Sequence, residues 1–334
     1  MKRRAFVQTG AAAAASAVVS IPNVARGAAP LTMKFAHFAA VDHPANVAAK
    51  QFVERVEART KGALAITIYP NNQLGDPAQQ AAQIKAGVID IGLPTEGQLD
   101  KYDKAFAAVE LPFVFESRAQ VFKVLDGPGI AWLAPLAEKQ GFITLHNWDY
   151  GFRNVTNNVR PINAPDDMKG LKIRTPPEIQ IEAAMEALGA VVTPISFAEL
   201  YLALSQHVVD GEENPVAVIY FNKYNEVQKH LALTRHVYNN MILTVSAASW
   251  PKLTPAQQAI FREEAAAAGE LMRKLVGDQE KDQIAKLQAA GMQVTAPDLG
   301  PFRAKMAPAY KRVSDYAGAD AVAKFLAMVK STKA

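Results

Sequence analysis

The strongest constraint on this chain is a regular alternation of strand-like and helix-like segments that begins near residue 32. Residues 32–36 read as a short apolar strand. Residues 47–59 follow as a helix with Val47, Phe52, Val53 and Val56 on its apolar side. A second strand signal covers 64–69 and stops at the turn-rich PNNQLGDP. Asp76 then opens a helix to Lys85, with Pro77 in the first turn, where a missing N–H is harmless. Residues 87–93 return as a strand. Such alternation predicts a mostly parallel sheet with helices on both faces. Roughly three hundred residues beyond the N-terminal segment, in a chain that is 50% hydrophobic, suffice for one large or two medium cores.

Further along, Leu111, Pro112, Phe113, Val114 and Phe115 form the most apolar knot and read as buried packing. Helices over 117–125 and 130–140 are separated by Gly127, Pro128 and Gly129, and a strand follows over 142–148. At 149–153 the pattern changes. The Gly151 turn and the polar NVTNN run have little hydrophobic cover, which suggests a hinge strand crossing between two lobes. A second α/β lobe then reads as strand to Arg174, helix 177–188, strand 190–194 and helix 196–205. Residues 227–233 read as a short helix and 237–246 as a strand pair recrossing to the first lobe. A long helical pattern runs from Pro255 to Ala290, opened by Thr254 and ended by Gly291, and closing helices cover 301–316 and 320–329. The lobes are accordingly drawn as 29–151 with 240–280, and 152–239 with 281–334.

Residues 1–28 combine a basic head (Lys2, Arg3, Arg4), an apolar run too short to span a bilayer, and a small-residue end at Ala25, Gly27 and Ala28. This is the pattern of a cleaved export signal. Arg3, Arg4 and Phe6 resemble the twin-arginine type, although Lys2, Val7 and Gln8 depart from it. The segment's only charges are Lys2, Arg3, Arg4 and Arg26, which account for the whole formal excess of +4. Beyond it the chain is near neutral with no basic run, which argues against nucleic acid or an anionic membrane as partner. The chain has no cysteine. A disulfide framework, a thiolate metal site, a cysteine nucleophile and a cysteine-linked lipid anchor are therefore excluded.

The stretch 172–215 concentrates the chemistry. Arg174 sits in GLKIRTPP, where a strand ended by Pro176 and Pro177 delivers its side chain to a sheet edge, the place where open α/β sheets bind ligands. A guanidinium there offers two parallel hydrogen bonds to a carboxylate and keeps its charge. An ion pair with Glu178 or Glu182 explains the same residue equally well. Arg153 lies beside Trp148, Tyr150 and Phe152, a cation next to aromatic surface. Phe38, after the first strand, reads as pocket wall or core filler. Glu96 reads as an acceptor for a solute hydroxyl or as a solvated loop carboxylate. His37 and His43 flank the same first loop, but no third spaced ligand supports a metal site.

The ordered blocks GFRNVTN, RPINAPDDMKGLKIRTP, ALGAVVTPISFAELYLALSQHVVDGEENP and EVQKHLALTRHVY resemble the periplasmic solute-binding subunits of tripartite ATP-independent (TRAP) transporters, the DctP-like proteins. The resemblance runs from about residue 32 to the C-terminus. It implies an α/β, two-lobed Venus-flytrap fold with hinge strands and a long helix across both lobes. The implied protein is a periplasmic monomer that binds a small carboxylate without a cofactor. It passes the solute to the small and large membrane subunits of an ion-gradient-driven permease. The resemblance gives Arg174 as the bidentate partner of the carboxylate, with Arg153 and Asn214 assisting. Phe197 in SFAEL resembles a ring against the solute, and helix-to-sheet packing accounts for it equally. Asn240 stands at the recrossing, where an ordinary turn serves as well. Many relatives carry glutamine where this chain has Glu212, a charge that would oppose a second solute carboxylate if it faced the pocket.

Two other classes share parts of this pattern. A periplasmic enzyme needs a base or nucleophile with an oriented partner, and no such order appears. A sensory receptor for a kinase would have an identical pocket. For the solute, Trp148, Tyr150 and Phe197 favour a ring or carbon chain, and Glu96 and Asn214 favour hydroxyls. Sugar acids, hydroxy acids and aromatic monocarboxylates are favoured over a four-carbon dicarboxylate.

Overall fold

The computed structural model describes residues 29–332, and the export segment read over 1–28 lies outside them. The first unit forms as expected: β1 (Leu31–Ala36), α1 (Pro44–Arg59), β2 (Leu64–Tyr69), α2 (Pro77–Lys85) and β3 (Ile91–Gly92). β1 pairs in parallel with β2 on one side and β3 on the other. α2 starts where local chemistry dictates. Asp76 accepts from Gln79 N and Gln79 accepts from Asp76 N, both at 2.9 Å, a reciprocal cap. The third strand is shorter than the 87–93 run suggests, because residues 87–90 form a turn.

α3 (Arg118–Val124) and α4 (Ile130–Lys139) do not separate at a clean break. A single wide turn over Leu125–Gly129 joins them, with Gly127 alone leaving helical geometry. The sixteen residues of β4 (Phe142–Asn157) then run through the middle of the molecule. Every one of them except His146 is buried, so the crossing run has far more cover than its polar NVTNN suggested. Its neighbours supply that cover.

The second unit contains β5 (Lys172–Thr175), α5 (Ile179–Ala187), β6 (Val191–Pro194), α6 (Leu200–Ser205), β7 (Gly211–Pro215), α7 (Val216–Phe221) and β8 (His230–Ala232). Then come β9 (Tyr238–Ser246), α8 (Pro255–Ala289), β10 (Gln293–Thr295), α9 (Leu299–Ala304), α10 (Ala307–Ala317) and α11 (Ala319–Ser331). Two expectations fail here. Residues 227–233 are not a helix, because His230–Ala232 pairs with β4 and with β10. The expected strand pair over 237–246 is the single strand β9.

The strands connect in the order β2-β1-β3-β9-β4-β7-β5-β6. β4 organises this order by changing partner. From Phe142 to Phe152 it pairs antiparallel with β9, and from Arg153 to Asn157 with β7. The fold is thus two α/β lobes joined through one continuous strand. A register shift between Asp149 and Gly151 bends β4 just before the change, and Gly151 sits at φ 113°, a conformation that side chains disfavour.

α8 lies across both lobes. Near its start Glu264 forms ion pairs with Arg55 at 2.5 Å and Arg59 at 2.7 Å on α1. Near its end Lys286 stands over the ring of Tyr220 on α7. The C-terminal helices likewise touch both lobes: Arg312 pairs with Glu182 at 3.1 Å, and Phe325 packs edge-on against Phe115. Two apolar cores follow the two faces of the sheet. One gathers Phe35, Phe52, Trp148, Phe261 and Leu204, the other Phe106, Leu111, Phe142, Ile173 and Phe325. Each is continuous through both lobes, so apolar burial, about 1.5–3 kcal/mol per large side chain, stabilises the joined structure.

Candidate functional site

Between the lobes lies a cavity of about 300 Å³, lined by Phe38, Thr95, Gln98, Tyr150, Arg153, Arg174, Glu178, Ile195, Phe197 and Asn214 among others. Its wall is assembled from both sides. Phe38, in the loop after β1, meets Phe197, at the start of the turn into α6, with ring centroids 5.3 Å apart. Thr95 Oγ1 donates to Glu178 Oε1 at 3.4 Å.

Arg174 reaches this wall from β5, whose neighbours fix it: it stands opposite Thr193 on β6 and Glu212 on β7. The residue is 1% exposed. Its Nε donates to Ile195 O at 2.8 Å, while the terminal Nη2 finds no acceptor among the described residues. No carboxylate there lies within ion-pair range. Glu178 accepts instead from Thr95 and Gln180, and Glu182 pairs with Arg312. The structural ion pair that the sequence allowed is therefore not made. Burial pulls the Arg174 pKa down from its ordinary value, outweighing the attraction of Tyr224, Glu213 and Glu212.

Arg153 is the opposite case. Its Nε donates to Glu213 Oε2 at 2.5 Å and its Nη2 to Oε1 at 2.7 Å, the bidentate geometry of a strong ion pair. Nη1 goes to Asn239 Oδ1 at 3.0 Å and Nη2 also to Asn214 Oδ1 at 3.2 Å. Burial pushes the Glu213 carboxyl up, but Arg153 and His236 outweigh it and hold the carboxyl below the usual range. Asn214 is also committed, since its Nδ2 donates to Glu212 Oε2 at 2.5 Å. Glu212 is buried, accepts from Thr156 Oγ1 at 2.9 Å and is not part of the cavity wall. Burial pushes its carboxyl up to about 7.

Six of the nine residues singled out in the sequence line the cavity: Arg174, Arg153, Asn214, Phe197, Tyr150 and Phe38. Three do not. Trp148 is fully buried under α8, donating Nε1 to Ala265 O at 3.0 Å. Glu96 is neither a pocket acceptor nor solvated. It is 2% exposed behind the wall, and burial pushes its carboxyl up to about 7. Asn240 donates to Asn147 Oδ1 at 2.9 Å, away from the cavity. His43 caps α1 by accepting from Ala45 N at 3.1 Å, and His37 contacts Asn46 Oδ1 at 3.1 Å. The described residues hold no cluster of three or more side chains able to grip a metal. The sequence reading missed Lys101, Tyr102, Thr95, Gln98 and the wall position of Glu178. Only Glu178 had a local signal, directly after the PP that ends β5.

A cavity between two lobes, with one buried arginine that makes no ion pair, suits a small anion. The chain belongs to the bacterial extracellular solute-binding protein family 7, DctP, whose model matches residues 35–315. It is a solute receptor of the TRAP type. It is similar to the sialic acid-binding periplasmic protein SiaP of Vibrio cholerae, 33% identical over 93% of this chain and 97% of that protein. It is also similar to the C4-dicarboxylate-binding periplasmic protein DctP of Rhodobacter capsulatus, 29% identical over 97% of each. Among solved structures, a TRAP periplasmic solute-binding protein from Polaromonas sp. JS666 bound to D-erythronate superposes with a TM-score of 0.85. That match is 34% identical and covers 89% of this chain and 98% of that one. No helix among the described residues is long and apolar enough to cross a membrane.

Proposed function

We propose that this protein holds the carboxylate of a small organic acid against Arg174 and presents the closed, loaded form to the small and large membrane subunits of a TRAP permease. The observation that supports the reading most is the contrast between the two arginines of the wall: Arg153 is paired with Glu213, and Arg174 is buried with no ion pair and with Nη2 lacking an acceptor among the described residues. Arg153 and Asn214 keep the wall in place and lend residual N–H groups. Phe38, Tyr150 and Phe197 pack against the solute body. Binding occurs without turnover, because an arginine stabilises an anion but does not relay its proton. In this reading the protein works in the periplasm, where the named relatives are placed. The lobes are 29–151 with 240–280 and 152–239 with 281–334, a division supported by the partner change of β4 at Arg153.

The test is thermal unfolding of the purified protein with organic acids and their matched amides. A ligand at a hundred times its dissociation constant adds about 2.7 kcal/mol, a shift of several degrees. Stabilisation by an acid and not by its amide, with the acid recovered unchanged, is the expected result. Equal stabilisation by both, or conversion of the acid, overturns the proposal.

A further inference from the structure

The charges around the cavity allow its solute to be narrowed, an inference that rests on the carboxylate reading above. Three cations line the wall: Lys101, Arg153 and Arg174. Arg153 is neutralised by the bidentate contact to Glu213. Lys101 Nζ lies 3.3 Å from Asp100 Oδ1 and above the ring of Tyr316, in a side chain that is half exposed. Arg174 alone among the wall cations makes no ion pair. The wall also contains two acids, Asp76 and Glu178.

Glu178 does not stand alone. Gln180 Nε2 reaches Glu110 Oε2 at 2.9 Å and Glu178 Oε2 at 3.5 Å. Glu110 Oε1 accepts from Gly97 N at 3.0 Å. A side chain at Gly97 would overlap Glu110 Oε2, Glu178 Oε2 and Gln180 Nε2 together, so both carboxyl groups converge on one point behind the wall. All three side chains are buried. Most of the remaining lining is uncharged, including Phe38, Tyr102, Pro176, Ile195 and Phe197.

We propose that the cavity selects acids bearing a single negative charge, and that Glu178 is the residue that rejects a second carboxylate. The first carboxylate meets the free edge of Arg174. A second one would be stripped of water beside Glu178 and Glu110 with no unpaired cation to receive it, and a buried charge without a partner is costly. Burial, together with the nearby Glu110, raises the Glu178 pKa well above its ordinary value. An environment that already resists negative charge on its own carboxyl resists a solute carboxylate there as well, whereas a hydroxyl, carbonyl or ester oxygen adds no charge.

The test is calorimetric titration of the purified protein with skeleton-matched pairs: gluconate with glucarate, butyrate with succinate, and benzoate with terephthalate. In every pair that binds, the monoacid is expected to bind at least about tenfold tighter than the diacid. Glu178→Gln, which keeps the shape and removes one of the two converging acids, is expected to reduce the ratio to within about threefold. A diacid that binds as tightly as its monoacid overturns the selection and leaves the carboxylate reading standing. An unchanged ratio in Glu178→Gln removes Glu178 from the role. Binding by no acid in any pair overturns the carboxylate reading and this inference with it.

Discussion

Replacing Arg174 with alanine should separate binding from stability, and the structure gives a magnitude to both. Two charge-assisted hydrogen bonds from the free guanidinium edge contribute about 3 kcal/mol at their lower bound, which predicts a loss of roughly 150-fold in affinity. Lysine at 174 keeps the charge but not the fork, and should recover only part of this. In the ligand-free protein the same substitution loses one bond, Nε to Ile195 O, and removes a buried cation that no carboxylate pairs. These effects oppose each other, so the melting temperature should stay within about 3 °C of the parent. Arg153→Ala is the control. It strands Glu213, which is fully buried and otherwise faces only His236 at 3.1 Å, and losing one partner of a buried pair costs about 3–5 kcal/mol. At the size of this chain that is a fall of at least about 5 °C. Calorimetric titration and melting of the three variants make the comparison. An Arg174→Ala protein that binds its acid within about threefold of the parent would refute the reasoning. So would one that destabilises the ligand-free protein as much as Arg153→Ala does.

Trp148→Phe should lower stability by about 1–3 kcal/mol through a lost hydrogen bond to Ala265 O and a poorly filled space under α8, while the dissociation constant stays unchanged; a weakened affinity at equal stability would put the indole back in the site. Gly97→Ala should weaken binding and lower the melting temperature together, because the added methyl displaces the Glu110, Glu178 and Gln180 groups; a neutral outcome in both assays would show that these groups do not converge as described. The pH dependence has a definite sign. Burial pushes Glu96, Glu110 and Glu212 up to about 7, so the folded protein holds protons that the unfolded chain releases from about 4.5 upward. That stability is present below the unfolded value and is lost as pH rises through about 7, at a cost on the order of 1 kcal/mol per group between about pH 6.5 and 8. Buried neutral His37 and His43, pulled down to about 4 and about 3, act in the opposite sense, and their effect is nearly complete at 6.5. The melting temperature should therefore fall by several degrees from pH 6.5 to 8, and a flat or rising profile would contradict the burial of these acids.

Local signals in the sequence located most elements, because their causes are local. The Asp76–Gln79 and Thr254–Gln257 caps start α2 and α8 where the residues said they would. The errors arise where distant chain decides. Residues 227–233 have helix-like spacing, yet Gln293–Thr295 and β4 claim the middle of that run as a strand. The aromatic residues of β4 show the same limit. Trp148, Tyr150 and Phe152 share one parity, so simple alternation puts them on one face beside Arg153. The register shift at Asp149 and Gly151 breaks that parity: Trp148 and Tyr150 enter one core and Phe152 the other. Only Tyr150 of the three reaches the cavity.

The site was legible in residue type and not in assignment of roles, and electrostatic pairing explains why. Arg153 and Arg174 are chemically identical groups, both on strands, so nothing in their own neighbourhoods ranks one above the other without the family resemblance. What separates them is a carboxylate sixty residues from Arg153, Glu213, brought beside it by the antiparallel register of β4 and β7. The parallel register of β5 and β7 sets Glu212 opposite Arg174 in the backbone, but Thr156 and Asn214 hold that carboxylate behind the wall. Arg174 is therefore left as the cation with donors to spare. The proposed role of Arg174 follows from this: an anion gains most beside a desolvated charge that has no ion pair, and the strand registers leave Arg174 in that state.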